Sequence, residues 1–225
     1  MSHRFQRARS LEAKGQRESD ILEAARSLAT EHGIRAITLT EIAGAIGMHK
    51  SALLRYFQTR EQIFLVLAGR GWREWSAALR ARLAQPGTNS PRAIAEAFAE
   101  TLVERPFFCD LLAHVPLNLE RHASLDGIRV FKLIALEEVA ATGAELRRLL
   151  DLSGPQSVDV ISTAVSMAGA LWQMATPVPA VAKLYREEPL LAHAVVEVGP
   201  RLTRILSGLL NGYLTENAAT GSPAP

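Results

Sequence analysis

The segment from Thr38 to Phe57 constrains the fold more than any other part of the 225-residue chain, because helix-start and helix-stop signals stand two turns apart. Thr38-Leu-Thr-Glu41 is a capping box, in which Thr38 caps a helix and Glu41 reaches back to the cap. Gly47 ends that helix, and a second helix is predicted from about Lys50 to Phe57. Two short helices joined by a three-residue turn containing glycine are typical of a helix-turn-helix.

The packing pattern of this segment supports the same prediction. Counted from Leu39, a tight crossing of the two helices needs a small residue at the fifth position and glycine at the ninth, and these are Ala43 and Gly47. An ordinary helical hairpin would need the apolar spacing but not these two small residues. Apolar residues also stand where the motif needs them, at Ile42, Ile46, Met48, Leu53 and Tyr56. The second helix of such a motif places its N-terminal part in the major groove of DNA.

The rest of the chain is predicted to be helical as well, which gives an all-α fold. Helix-forming residues dominate, and alternating runs of β-branched and aromatic residues are absent. An uncharged stretch over 160–182 is long enough to span a bilayer, but its polar residues and two prolines favour a buried helix. Pro200 is expected to kink the last helix. Besides the motif, the predicted helices are 19–32, 60–83, 92–104, 125–150, 157–175 and 189–214.

Four regions are predicted along the chain, and the basic excess lies at the start. Residues 1–60 contain ten basic and six acidic residues, whereas residues 61–225 contain 15 basic and 17 acidic residues. The polar, basic stretch 1–18 is expected to be a flexible arm, which either reaches DNA or is disordered. The predicted regions are the arm 1–18, a helix-turn-helix domain 19–65, an effector-binding and dimerisation domain 66–215 and a disordered tail 216–225.

Residues 19–65 resemble the DNA-binding domain of TetR/AcrR-family transcriptional regulators, a three-helix domain built around a helix-turn-helix. The resemblance implies that Lys50, Ser51 and Ala52 lie near bases, where lysine can donate to guanine. It also implies phosphate contacts from Thr38, Tyr56 and Arg60, and it adds Thr40, His49 and Leu54 to the predicted interface. The matching residues are Ile21-Leu-Glu-Ala-Ala25, Gly33, Thr38, Ile42-Ala43, Gly47, Arg55-Tyr56-Phe57 and Arg60-Glu61.

This motif departs from the family at the reading helix. Family members often have glycine, threonine and tyrosine where this chain has Ser51, Ala52 and Leu54, and His49 replaces the usual small capping residue. Leu54 cannot donate a hydrogen bond to phosphate but could contact a thymine methyl group. The pattern of base contacts therefore cannot be transferred from the family.

The resemblance implies that the last two helices pair with their copies as a four-helix dimer interface. The spacing of apolar residues supports this, because it alternates between three and four as in a helical seam. Burial within one chain would produce the same spacing, and the dimer is the favoured interpretation. The predicted interface residues are Val158, Ile161, Val165, Ala168, Trp172, Val198, Leu202, Ile205 and Leu209.

The family also binds small effectors between the middle helices of the C-terminal domain. Most apolar candidates for such a pocket could equally be plain core. His114 and Asn118 are the polar candidates and are best suited to orienting a ligand. The predicted lining residues are Phe107, Phe108, Leu111, His114, Asn118, Phe131, Met167, Leu171 and Met174.

Enzyme, cofactor and metal chemistry are not expected. The sequence contains no P-loop, dinucleotide-binding, nucleophile-elbow or Cys-x-x-Cys motif. Cys109 and His114 are five residues apart, so they lie on different sides of a helix. His193 and Glu197 could form half a metal site, but a surface pair is the better interpretation. One cysteine and a start without an apolar segment predict a cytoplasmic protein.

These observations predict a homodimeric repressor that binds a palindromic DNA operator and is released by a small, largely hydrophobic effector. Two alternatives stay open. The chain could regulate through DNA without a small molecule, as a constitutive regulator or activator. It could also sequester small molecules and carry a vestigial DNA-binding motif.

Overall fold

The computed structural model describes residues 2–194 and 196–220, and within them all regular structure is helical. This confirms the all-α prediction. Three short turns of other helix types connect the α-helices: 3₁₀ turns at Ile34–Ala36 and Pro189–Ala194, and a π turn at Val115–Leu119. The α-helices are α1 Ser2–His32, α2 Leu39–Ala45, α3 Lys50–Leu53, α4 Arg60–Leu83, α5 Pro91–Val103, α6 Pro106–His114, α7 Glu120–His122, α8 Leu125–Leu149, α9 Gly154–Ala175, α10 Pro179–Glu187 and α11 Val198–Thr220.

The helix-turn-helix prediction is confirmed by the packing of α2 on both α1 and α3, while α1 also packs on α4. Ile42 and Leu53, two of the apolar positions of the motif, are fully buried, and Ala43 is buried at the crossing. Gly47 adopts a φ of +64° between the helices, and Gly33 adopts +80° after α1. Both values lie in the left-handed region that glycine enters without steric cost, so each glycine ends its helix.

The first helix is longer than the sequence pattern predicts. It begins at Ser2 rather than Ser19, so the stretch expected as a flexible arm over 1–18 continues α1, while Met1 lies outside the described residues. Opposite charges one turn apart support this extension. The Lys14 ammonium lies 4.0 Å from the Glu18 carboxylate, and the Arg17 guanidinium lies 3.6 Å from that of Asp20. Such pairs stabilise an exposed helix slightly.

The C-terminal domain is built on α4, which starts in the helix-turn-helix domain and continues into a helical bundle. Helix α4 packs against α8 and α5, α6 packs against α9, and α11 lies between α5 and α9. An aromatic cluster fills the centre, where Trp75 contacts Phe98 and Phe108 with ring centroids 5.9 and 6.1 Å apart. The buried indole N–H of Trp75 donates to the Thr101 hydroxyl at 3.2 Å, so its polar group is satisfied.

The last third of the chain requires several corrections. Helix α9 is capped by Ser153, three residues before Gln156 in a capping box, whereas Ser157, at which the predicted helix begins, is buried inside the helix. Helix α10 is not predicted by the sequence, because Pro177 and Pro179 indicate only breaks. Pro200 lies in the first turn of α11, where proline fits without a kink. Helix α11 also covers 216–220 of the predicted disordered tail, and residues 221–225 lie outside the described residues.

The uncharged stretch that raised a membrane question lies mostly in α9, where Val160 and Ile161 are fully buried. The neighbours that cover this helix are α6, α8 and α11. Among the described residues, no helix combines the length and apolar character that a bilayer crossing requires.

Candidate nucleic-acid interface

The capping box at Thr38 fixes the start of α2. The Glu41 carboxylate accepts hydrogen bonds from the Thr38 backbone N–H at 2.7 Å and the Thr38 hydroxyl at 2.8 Å, while the Glu41 N–H donates back to that hydroxyl at 3.3 Å. The hydroxyl and then the backbone N–H of Thr38 hold the pKa of Glu41 below its usual value. The Thr38 hydroxyl proton is therefore engaged by Glu41, and a phosphate contact from Thr38 would require it to turn.

His49 caps the reading helix α3, a role for which the family usually has a small residue. Its Nδ1 accepts from the backbone N–H of Ser51 at 3.4 Å and lies 2.8 Å from the Ser51 hydroxyl. An imidazole nitrogen therefore takes the place of the usual capping oxygen. Helix α3 contains only residues Lys50–Leu53, and the predicted continuation to Phe57 is a turn.

The side chains predicted to face DNA lie mostly on one exposed edge. Within the described residues the Lys50 side chain forms no hydrogen bond or ion pair, so its ammonium is free to donate. Leu54 is 41% exposed and stands beyond the end of α3. Ala52 and Tyr56 are half-buried, whereas the other exposed members of the predicted set are Thr38, Thr40, His49 and Ser51.

Arg60, predicted only as a phosphate contact, connects the start of α4 to the loop before α2. Its Nη1 donates to the backbone carbonyls of Ile34 at 2.9 Å and Ile37 at 2.8 Å, and its Nε donates to the Glu61 carboxylate at 2.7 Å. The guanidinium also lies 5.8 Å from the centre of the Phe64 ring. Arginine has five N–H donors, so Nη2 stays available for a phosphate. The carbonyl contacts span more than twenty residues of sequence, and no local pattern indicates them.

The nine residues predicted to line an effector pocket do not all meet in one of the described cavities, although Phe107, Phe108 and Leu111 together border one of about 300 Å³. Phe108 packs edge-to-face on Trp72, with ring centroids 6.0 Å apart, and belongs to the aromatic core. Leu111 and Leu171 are also buried in the core, whereas Met174 is 50% exposed at the surface. Aromatic and apolar residues at helical spacing pack a core as readily as they line a pocket, so their sequence pattern could not separate the two roles.

The other predicted pocket residues are distributed over different parts of the domain. Phe131 borders a cleft of about 800 Å³ between the turn after α3, α4 and α8. Phe107 and His114 border a cavity of about 430 Å³ at the junction with the helix-turn-helix domain. Met167 packs partly buried against the core, and Asn118 is half-buried in the π turn.

The predicted dimer residues are also largely used inside one chain. Val198 and Leu202 on α11 are buried in the bundle, in which α11 packs against α5 and α9. Ile161, Val165 and Ala168 on α9 are likewise buried, which corrects their assignment to a surface between copies. Packing within one chain therefore accounts for the alternating spacing of three and four between these apolar residues. Val158 is 46% exposed, and Trp172, Ile205 and Leu209 are half-buried.

A buried ion pair within α6 borders the 430 Å³ cavity at the junction of the two domains. The His114 imidazole lies 3.2 Å from the Asp110 carboxylate on α6, and both side chains are at least four-fifths buried. Gln173 on α9 donates to the same carboxylate at 2.7 Å. Residues of the 3₁₀ turn at Ile34–Ala36 line the other side of the cavity. Asp110 thus contacts the element that Arg60 also holds, and neither Asp110 nor Gln173 was predicted.

The ion pair shifts both pKa values. The hydrogen bond to Asp110 raises the pKa of His114, although burial and Arg35 oppose this. Burial tends to raise the pKa of Asp110, but hydrogen bonds from His114, Gln173 and the Ile34 backbone N–H outweigh it, so the net shift is downward. The stabilisation from His114 is full below its ordinary pKa of 6.5 and is lost as the pH rises through the raised value. That from Asp110 is present above 3.8 and is lost as the pH falls through the lowered value.

We therefore expect Asp110→Asn to lower the melting temperature more at about pH 5.5, where the pair is charged, than at about pH 8.5. The measurement is thermal unfolding across this range. Glu145→Gln is the control, because Glu145 forms an exposed pair with Arg148 at 2.8 Å, and its effect should not change with pH. An equal effect of Asp110→Asn at both pH values would contradict the role of His114.

Cys109 does not offer a nucleophile. Its thiol is buried and donates to the Leu102 carbonyl at 3.2 Å. Burial, followed by the charge of Asp110, raises the pKa of the thiol to about 12. Within the described residues, no group of three or more possible metal ligands converges. The chemistry available at the exposed edge of α2 and α3 is hydrogen bonding and charge, as nucleic-acid contact requires.

Comparison with known proteins covers both domains. Residues 21–67 match the family model "Bacterial regulatory proteins, tetR family", and residues 70–217 match "Tetracyclin repressor-like, C-terminal domain". Members of this family are DNA-binding regulators and not enzymes. None of the curated proteins compared with the chain matches it.

Solved structures share the fold at low identity. PfmR, a TetR-family regulator from Thermus thermophilus, is 18% identical with a TM-score of 0.55, covering 85% of this chain and 97% of that one. A TetR/AcrR-family regulator from Thermobifida fusca is 20% identical with a TM-score of 0.51, covering 88% and 98%. One from Streptomyces coelicolor is 19% identical with a TM-score of 0.51, covering 89% and 98%. Because the two family models account for residues 21–67 and 70–217, the chain belongs to the TetR family of bacterial transcriptional regulators.

Proposed function

We propose that this chain is a homodimeric repressor that binds a palindromic operator through α3 and is released by a small effector. One observation carries the proposal. The Lys50 side chain is exposed and has no partner among the described residues, and it stands at the start of a reading helix that His49 caps and the buried Leu53 anchors to the domain. A free cation on a fixed helix can donate to guanine in the major groove.

The outer faces of α9 and α11 support the homodimer. The two helices are tied together in one chain, because the Tyr213 hydroxyl donates to Asp159 at 3.0 Å and Gln156 donates to the Asn217 side chain at 2.9 Å. Small side chains on their outer faces would let helices of a second copy approach closely. We define the α9–α11 surface by its exposed residues Ser162, Ser166, Ala170, Arg204, Gly208 and Asn211.

Release by an effector would be a shift between two populations. A dimer binds well when its two reading helices match half-sites about 34 Å apart in successive major grooves. An effector can bind more tightly to a conformation in which the reading helices have another spacing. It then lowers the affinity for the operator, at most by the ratio of its own affinities for the two conformations. The junction at Asp110 and the 3₁₀ turn offers a mechanical connection, because it joins α6 and α9 to the helix-turn-helix domain.

Selection of binding sites from a random duplex library tests this function. A dimeric repressor should enrich two half-sites related by a two-fold axis, and a single enriched half-site would contradict the dimeric mode. Enrichment of no sequence would favour the alternative of a small-molecule sequestering protein. Selection that succeeds with no compound able to weaken it would favour regulation without an effector.

Lys50→Ala should weaken binding to the selected duplex by about 1–3 kcal/mol and relax the preference at one base pair of each half-site. The reason is that a base contact discriminates sequence, whereas a phosphate contact does not. The measurement is affinity for the selected and the scrambled duplex. Lys183→Ala is the matched control, because Lys183 is an exposed lysine on α10 that pairs with Glu187 at 3.7 Å. Equal losses on both duplexes would make Lys50 a phosphate contact.

A further inference from the structure

A cleft of about 800 Å³ lies where the turn after α3 and helix α4 meet the N-terminal half of α8. This volume lies in the range of sites for small organic ligands. It exceeds the cavity at the domain junction, about 430 Å³, and a third of about 300 Å³. Among the residues predicted to line an effector pocket, only Phe131 borders it, so the cleft is not the pocket expected from the sequence.

The floor of the cleft is apolar. Leu65 on α4 and Phe131 on α8 are 2% and 5% exposed, and Ile134 lies half-buried beside them. Val66 and Val130 flank them, at 37% and 57% exposure. Contact between apolar surface and water is unfavourable, so a hydrocarbon ligand that covers this surface would lower the free energy of the complex. A flexible alkyl chain or a flat aromatic body fits a floor of this kind.

The rim of the cleft is cationic. Arg55, Arg70 and Arg73 line it, and Asp126 is the acidic residue among its lining residues. In the part of the chain that the structure describes, none of the three arginines forms an ion pair or side-chain hydrogen bond. Arg70 also borders the 300 Å³ cavity, where Glu74 lies, whereas Arg55 and Arg73 belong to the larger cleft. Unpaired guanidinium groups above an apolar floor suit a carboxylate with a hydrocarbon tail.

We propose that this cleft is the effector site and that it binds amphipathic organic anions. The anionic group pairs with Arg70 and Arg73, and the hydrocarbon part lies on Leu65 and Phe131. This inference rests on the proposed function, since it names the chemical class and the place of the effector.

The position of the cleft connects it to DNA binding. Leu54 and Tyr56, at the end of the reading helix, form one wall, and α8 of the C-terminal domain forms the opposite wall. A ligand bound between these walls favours the distance between them at which it fits, and so sets the position of the reading helix relative to α8. Tyr56 is also one of the residues implied to contact phosphate, so its position in the cleft and its position on DNA are coupled.

Three compounds with the same chain but different head groups test the proposal by calorimetry, below their micelle concentrations. Dodecanoate should bind, dodecanol should bind about tenfold more weakly, and dodecyltrimethylammonium more weakly still. Arg70→Gln combined with Arg73→Gln should weaken dodecanoate about tenfold and leave dodecanol unchanged. Arg92→Gln is the control, because Arg92 is an exposed arginine on α5 outside the cleft, and it should bind all three like the wild type.

Equal affinity for the three compounds, or wild-type dodecanoate binding by the double variant, would overturn the site. Dodecanoate should also lower the affinity of the wild type, but not of the double variant, for the selected duplex. Binding without any effect on DNA would overturn its assignment as the effector site. These two results concern the ligand site only. The proposed function fails in a different experiment, when the ligand-free wild type selects no DNA sequence.

Discussion

Gly208→Arg should convert the proposed dimer into a monomer and lower the affinity for a palindromic duplex by at least about a hundredfold, because the two half-sites no longer bind as one unit. Gly208 lies on the outer face of α11, and a Cβ atom there meets no atom within 4 Å. The substitution therefore adds bulk and charge outside the chain's own packing, and arginine favours a helix more than glycine does. Light scattering at micromolar concentration and duplex titration measure the two effects.

A second position on the same surface strengthens this test. Ser166→Arg on α9 should have the same effect, because Ser166 is exposed and, like Gly208, belongs to the proposed α9–α11 surface. Ala140→Arg on α8 is the control, since it adds an arginine at an exposed position outside that surface. Wild-type chain that scatters as a monomer, or a Gly208→Arg variant that stays dimeric, would contradict this interface.

Arg60→Ala should reduce both stability and DNA affinity. Its guanidinium side chain is 22% exposed, and it holds the carbonyls of Ile34 and Ile37, which lose a charged donor in the variant. The expected cost is about 2–4 kcal/mol, which is a fall in melting temperature of roughly 5–10 °C for a chain of this size. Affinity for selected and scrambled duplexes should fall alike, because phosphate contacts carry no sequence information.

Arg55→Ala is the control for Arg60→Ala, because it removes an arginine of the same domain that does not hold backbone carbonyls. Arg55 is exposed, and its side chain forms no hydrogen bond or ion pair within the described residues, so its removal should leave the melting temperature nearly unchanged. A salt series adds the second measurement. If Nη2 of Arg60 contacts phosphate, Arg60→Ala should flatten the salt dependence by about two units per dimer. Equal melting temperatures of the two variants would show that the carbonyl contacts of Arg60 do not stabilise the domain.

The sequence determined the helix-turn-helix because its signals are local. The contacts from Thr38 to Glu41 and the left-handed turn at Gly47 involve residues at most a few positions apart. Their stereochemistry depends on neighbouring residues and not on the rest of the fold. The exposure of Lys50 and the burial of Leu53 then follow from the periodicity of a short helix.

Apolar spacing did not determine what each apolar face contacts. Leu202 and Ile161 have the spacing of an interface between copies, but both are buried within one chain. Gly169 lies on the same helix as Ile161 and does not serve a second copy. Instead it permits close approach of α6, since a Cβ atom there would lie 2.8 Å from the Ala113 backbone nitrogen. A helix face has the same pattern whichever neighbour buries it, and only the tertiary structure identifies that neighbour.

The contacts that join distant parts of the chain were decided by tertiary structure alone. Arg60 reaches carbonyls 23 and 26 residues earlier, and Gln173 reaches Asp110 across 63 residues. The cleft between the turn after α3, α4 and α8 likewise takes its arginines and its apolar floor from segments that are separate in sequence. Local patterns determine which backbone conformation has the lowest free energy, whereas the pairing of polar groups and the shape of cavities depend on how the helices pack.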